Sequence, residues 1–392
     1  MTRILACILA LASGSALADP FLARTNLFES WTGGYGLFRI PGVVVTTKGT
    51  VLAYCEARRS RSDWAEMDVL MRRSTDQGRT WEPARKIADV PGPKLKNPVR
   101  LNAKTNEFTY NNPIAIADRD GTVHFLFCLE YMRCFYQYSK DDGRTWSQPV
   151  EIPQVFEAFR PKVDFRTVAT GPGHGIQLRN GRLLAPIWIS LGRGGNNHSP
   201  NFNGTIYSDD HGKSWHAGDL AVADKNIVSA SNETEFVQLA DGRVMLSVRA
   251  GTKDNHRVFA LSNDGATKWS TPRTAKEIIG IGCMAGFVRH SLTPASDRNR
   301  ILFSLPNPRD GSAERKNLSL WMSYDEGESW PVCKTLEPGP SAYSDLAVLP
   351  DGSILCFYEA VNPNREQTSP YGFLTLARFN LEWLSDGKDK GK

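Results

Sequence analysis

One eight-residue pattern, SxDxGx[ST]W, recurs intact four times, at Ser74–Trp81, Ser139–Trp146, Ser208–Trp215 and Ser323–Trp330. A fifth copy, Ser262–Trp269, keeps the Ser, Asp and Trp but carries its glycine one place early. Successive copies begin 65, 69, 54 and 61 residues apart. A period of that size marks a stack or ring of like units, so it constrains the chain more than the length of 392 residues does.

The chemistry of the unit is a turn. Aspartate accepts backbone N–H bonds, glycine supplies positive φ, the hydroxyl residues cap local backbone groups, and tryptophan drives its ring into the neighbouring core. β-rich runs precede the copies, among them Val69-Leu70-Met71, Phe135 to Tyr138, Thr205 to Tyr207 and Leu318 to Trp321. The box therefore reads as a hairpin turn closing a strand pair. A period near sixty residues holds one four-stranded antiparallel sheet with its loops, and the chain after residue 18 divides into about six of them. The expected fold is all-β, a six-bladed β-propeller of four-stranded antiparallel sheets. Strand runs fit throughout: Val43 to Thr47 paired with Val51 to Glu56, then His124 to Leu129, Arg182 to Ile189, Arg243 to Arg249, Arg300 to Leu305, Ser353 to Tyr358 and Phe373 to Phe379. Almost no helix is expected. The boxes identify the units and carry no chemistry of their own.

Residues 1–18 read as a signal peptide: Arg3, the apolar run Ile4 to Leu11, then Ala16-Leu17-Ala18 before Asp19. The propeller domain is accordingly assigned to 19–392, in a secreted or periplasmic protein. No stretch approaches twenty apolar residues, so no membrane span is expected. Setting Cys7 aside leaves cysteines at 55, 128, 134, 283, 333 and 356, without a close CxxC pair. Buried free thiols are the default reading, with a Cys128–Cys134 bridge as the alternative. No two of the seven histidines have metal-ligand spacing, so neither a catalytic metal nor another cofactor is expected. The net charge of +5 is scattered and forms no basic run, which argues against nucleic acid as a partner and leaves an acidic small molecule compatible.

Phe38-Arg39-Ile40-Pro41 ahead of this set of boxes resembles the signature of the bacterial-type exo-α-sialidases, in which FRIP or YRIP precedes the boxes. The resemblance extends over nearly the whole chain after residue 18. It implies that Arg39, Arg249 after the strand run Val244 to Val248, and Arg315 in Glu314-Arg315-Lys316 grip a substrate carboxylate. Planar, permanently charged guanidinium suits that task. It implies a nucleophile at Tyr343, in Pro340-Ser341-Ala342-Tyr343-Ser344-Asp345. A neutral phenol avoids the repulsion that a carboxylate nucleophile would meet at an anomeric carbon bearing its own carboxylate. Glu233 is the implied base partner, with Glu235 on the same side of an extended strand as its competitor.

Asp63 in Arg61-Ser62-Asp63-Trp64 matches the general acid/base, with Trp64 as an apolar neighbour expected to raise its pKa. Glu359 matches the carboxylate that orients Arg39, and Glu56 and Arg58 are assigned to ring substituents of the sugar. Gly171-Pro172-Gly173-His174-Gly175 lacks the lysine and helix of a phosphate loop. It reads as a rim loop, with His174 either a substrate contact or structural. The implied function is retaining exo-hydrolysis of terminal α-linked sialic acids from glycoconjugates by a monomer. The alternatives are action on a related nonulosonic or ulosonic acid, transfer to another sugar, and a sugar-binding propeller without turnover.

Overall fold

Strands such as Val51–Arg58, Val123–Leu129 and Ile354–Ala360 are buried at every residue. Their side chains point alternately to the two faces of a sheet, so both faces must be covered by other sheets. The computed structural model describes residues 19–100, 104, 106–194, 196–222, 230–252, 256–365 and 369–391. The segment read as a signal peptide, 1–18, lies outside the described residues.

The strands form antiparallel sheets set around an axis as a β-propeller. Three sheets have four strands each. The first is Leu37–Val45, Val51–Arg58, Met67–Ser74 and Arg85–Lys86; the second is Tyr110–Ala117, Val123–Leu129, Arg133–Ser139 and Val150–Glu151. The third is Ala230–Gln238, Val244–Gly251, His256–Ser262 and Arg273–Ile279. A five-stranded sheet contains Thr167–Thr170, Ile176–Gln177, Leu183–Arg193, Ser199–Ser208 and His216–Leu220.

The expected six separate sheets are corrected here: four stand alone, and the rest of the ring is one seven-stranded sheet. The cause is a single strand, Val332–Val348, 17 residues long. Its first part pairs with Lys316–Ser323, from Met322↔Val332 to Lys316↔Pro340, and its second with Ile354–Ala360, from Ser341↔Ala360 to Val348↔Ile354. Leu22–Glu29 pairs with Phe373–Phe379, so the two ends of the described chain share this sheet, with Leu22–Glu29 as its outermost strand. Only two short helices occur among the described residues, Pro153–Glu157 and Leu381–Leu384, and no helix is long and apolar enough to cross a membrane.

All five boxes build one network. In the first, Gly78 N donates to Ser74 Oγ at 2.9 Å, and Thr80 N and Oγ1 donate to the two Asp76 oxygens at 2.9 and 2.6 Å. The same bonds recur at Asp141, Asp210, Asp264 and Asp325. The tryptophans enter five different hydrophobic clusters. Trp383 of the last helix packs on a further one, where the chain has no box. The six cysteines among the described residues are free; Cys128 and Cys134 face each other across a strand pair without a disulfide, and Cys333, unlike the others, is exposed.

Candidate active site

The inner strands Leu37–Val45, Tyr110–Ala117, Thr167–Thr170, Ala230–Gln238, Gly286–Ser291 and the second part of Val332–Val348 lie around the axis, each against its neighbour except that Ala230–Gln238 meets the five-stranded sheet through Leu183–Arg193 and Ser199–Ser208. Four of them break register near one end: between Arg39 and Gly42, Asn111 and Ile114, Ser231 and Thr234, and Ser341 and Ser344. Such irregularities re-aim side chains that a regular ladder would hold to one face. Arg39, Asn112, Glu233 and Tyr343 all sit at these breaks. Ile40 and Asn112 lie in the left-handed region, at φ 61° and 49°.

Tyr343 is the centre of the constellation. Its hydroxyl donates to Glu233 Oε1 at 2.6 Å and accepts from Arg249 Nη1 at 2.6 Å. The same Arg249 nitrogen donates to Glu233 Oε2 at 2.8 Å. The guanidinium carbons of Arg39, Arg249 and Arg315 lie 5.1, 6.0 and 5.1 Å from the centre of the Tyr343 ring. Burial lifts the phenol well above the ordinary tyrosine range, opposed by Arg249 and Arg315 and reinforced by Glu233. Glu359 is fully buried and holds two strands in place at once. It accepts from Arg39 Nε at 2.5 Å, from Ile40 N at 3.1 Å and from Tyr343 N at 3.0 Å.

Across the cavity, Arg58 Nη1 donates to Asp63 Oδ1 at 2.7 Å. Burial is the largest influence on the Asp63 carboxyl and would raise it, but the Arg58 charge, the Arg58 hydrogen bond and the Arg39 charge together outweigh it and hold the group below the usual carboxylate range. This corrects the expectation that Trp64 would raise it. The Trp64 ring instead packs on Tyr131 and His198, at 4.9 and 5.3 Å between centroids. A second correction concerns Glu56, which is fully buried and does not reach the cavity. It accepts from Arg58 Nε and Nη2 at 2.8 and 2.6 Å and from Asn112 N at 2.7 Å, so it orients the arginine that does.

Glu233 and Glu235 part company. Glu235 lies deeper on the axis with His174 and Asp345: His174 Nδ1 donates to Asp345 Oδ1 at 2.8 Å and stands 3.5 Å from Glu235 Oε2. His174 is therefore a buried bridge and not a rim contact. Desolvation lowers its pKa, but the two carboxylates overcome that and raise it to about 9. Gly173, at φ 87°, admits no side chain because a Cβ there would collide with Glu235 Oε1.

The cavity between these walls has a volume of about 510 Å³. Its lining also includes a wall of Tyr131, Trp188, His198 and Asn201. Trp188 Nε1, His198 Nε2 and Asn201 Oδ1 are buried there without a protein partner. Sequence reasoning missed this wall and also missed Tyr371, which contacts two of the arginines. The aromatic residues carry no sequence signal that separates them from core; the polar run Asn196-Asn197-His198 was the one available pointer.

Among the described residues, Asp118, Asp120 and His211 form one other cluster with metal-ligand geometry besides the axial triad. Neither cluster lines the cavity.

The family description "BNR repeat-like domain" matches residues 101–356, more than half of the chain. Over 391 aligned residues the chain is 27% identical to a sialidase of Micromonospora viridifaciens, covering 93% of this chain and 55% of that protein. It is 28% identical to sialidase-3 of Bos taurus, covering 82% of this chain and 85% of that one. This chain belongs to the BNR-repeat sialidase family.

The fold of this family member agrees. The Hadza microbial sialidase Hz136 superposes with a TM-score of 0.69 at 22% identity, over 90% of this chain and 67% of that one. The intramolecular trans-sialidase of Ruminococcus gnavus does so with 0.69 at 20%, over 92% and 98%. At those identities the likeness is one of fold. The sialidase-family chain spans just over half the length of the Micromonospora relative.

Proposed function

We propose that the protein is a retaining exo-sialidase that releases terminal α-linked sialic acid from glycoconjugates through a tyrosine nucleophile. The observation that carries this reading is the 2.6 Å hydrogen bond from Tyr343 to Glu233 inside a ring of three arginines. A phenol raised by burial is a poor nucleophile until a base takes its proton. Glu233 is placed to do so, and Arg249 bonds to both partners and stabilises the charge wherever it rests.

In the proposed cycle the arginines bind the sugar carboxylate and set the anomeric carbon against Tyr343 Oη. Asp63 protonates the departing oxygen, and the phenolate forms a bond to the anomeric carbon as the glycosidic bond breaks. Water, deprotonated by Asp63, then displaces Tyr343 with a second inversion, giving net retention. A binding module would need neither Asp63 nor Glu233 in these places. The apolar segment at 4–11 supports export to the periplasm or medium, and the protein is read as a monomer.

The test is turnover of a fluorogenic aryl sialoside, with the first-formed anomer followed by proton NMR. The α anomer and covalent labelling of Tyr343 by a 2,3-difluoro sialic acid analogue are expected. Release of the β anomer first, or full activity in Tyr343→Phe, would overturn the assignment.

A further inference from the structure

We infer that Tyr371 is a positioning residue that locks two of the three carboxylate-binding arginines into one geometry. The Arg39 guanidinium lies over its ring at 4.0 Å from the centroid, and Arg315 Nη1 donates to its hydroxyl at 2.9 Å. One side chain thus contacts two arginines carried by different strands and loops of the ring. Among the described residues each arginine makes one further side-chain hydrogen bond, Arg39 Nε to Glu359 at 2.5 Å and Arg315 Nη2 to the Gly282 carbonyl at 2.6 Å, and each also stands 5.1 Å from the centre of the Tyr343 ring. Without Tyr371, each guanidinium would be left with one hydrogen bond to pivot about and the non-directional face of Tyr343. Two like charges also gain from an aromatic face and a phenolic oxygen between them, since both present negative potential.

The backbone of Tyr371 is tied to the closure of the ring. Ser30 Oγ donates to Tyr371 O at 2.7 Å and Ser30 N to Gly372 O at 3.0 Å, while Gly372 N donates to Ala360 O at 2.9 Å. Ser30 directly follows the strand Leu22–Glu29, which pairs with Phe373–Phe379. Gly372 is obligatory here because a Cβ would collide with Asn362 N. The strand that joins the two ends of the chain therefore sets the height of the Tyr371 ring under Arg39.

The inference rests on the arginines binding a carboxylate, as proposed above. A positioning role predicts loss of binding shared by ground and transition states, so KM and the Kd of a 2,3-unsaturated sialic acid analogue rise together while kcat holds within about twofold. Tyr371→Phe keeps the ring and loses the bond to Arg315, and it should raise both constants about 5- to 30-fold. Tyr371→Ala also frees Arg39 and should raise them about 100-fold. In an Arg315→Ala background, Tyr371→Phe should add less than about twofold, because the bond it removes is already gone.

Failure of the wild type both to bind the analogue and to turn over a sialoside would overturn the carboxylate reading and this inference with it. A competent wild type whose KM and Kd are unmoved in a folded Tyr371→Phe would overturn the Tyr371 role alone. So would a fall in kcat at constant KM, or full additivity with Arg315→Ala.

Discussion

At the residue scale, the site separates its two carboxylates by their neighbours. Asp63 is the proposed acid, yet the Arg58 contact keeps its pKa low in the free protein. The protonated fraction therefore rises as pH falls from neutrality, and kcat/KM on a natural glycoside should climb in the same direction, since that ratio reports the free enzyme. Asp63→Ala should abolish the climb. It should also cost about 100-fold more on a sialyl-lactose than on an aryl sialoside whose leaving group needs no proton. Equal losses on both substrates would exclude Asp63 as the acid. Of this chemistry, Arg39, Asp63, Arg249, Arg315 and Tyr343 were legible as residue types in a familiar order. The choice between Glu233 and Glu235 was not, because alternation along an ideal strand sends both to one side. The register break between Ser231 and Thr234 separates them.

At the scale of elements, the strands bearing Glu233 and Tyr343 are joined again one step deeper by the axial triad. Glu235 and Asp345 each lie two residues beyond a site residue, and His174 stands between them. His174 has a folded pKa of about 9 against 6.5 for an ordinary histidine. A raised folded value means that its stabilisation is complete below pH 6.5 and is lost as pH rises through about 9, with a size on the order of 3 kcal/mol. The wild-type denaturant midpoint should therefore fall between pH 6 and pH 9. His174→Asn should be less stable than wild type at pH 6 and show a shallower fall. Identical pH profiles would show that folding does not shift the pKa of His174. The GPGHG run announced a glycine-dependent loop, but nothing local to it specified partners at 235 and 345. Those contacts span 61 and 171 residues.

At the scale of the whole molecule, closure of the ring by Leu22–Glu29 is coupled to the site through Ser30 and Tyr371. Removing residues 19–30 should uncover the edge of Phe373–Phe379 and lower the thermal midpoint. It should also weaken binding of the unsaturated analogue under conditions where the remaining chain is still folded. Unchanged affinity in a folded truncated protein would show that closure and site are independent. The repeated boxes made the propeller readable, because each is a local turn whose bonds close within seven residues. They did not reveal that Val332–Val348 runs through two pairings and fuses its neighbours into one sheet, since strand length and partner are set by what packs alongside. The repeating all-β architecture, the turns and the residue types able to bind a carboxylate can be read from residue order alone, because they depend on local bonding and side-chain chemistry. Which carboxylate faces Tyr343, that Glu56 serves Arg58, and that Tyr371 touches both Arg39 and Arg315 emerge from the folded arrangement. Each of those depends on register breaks and on contacts between strands far apart in the chain, where the energy of packing chooses among local options of equal merit.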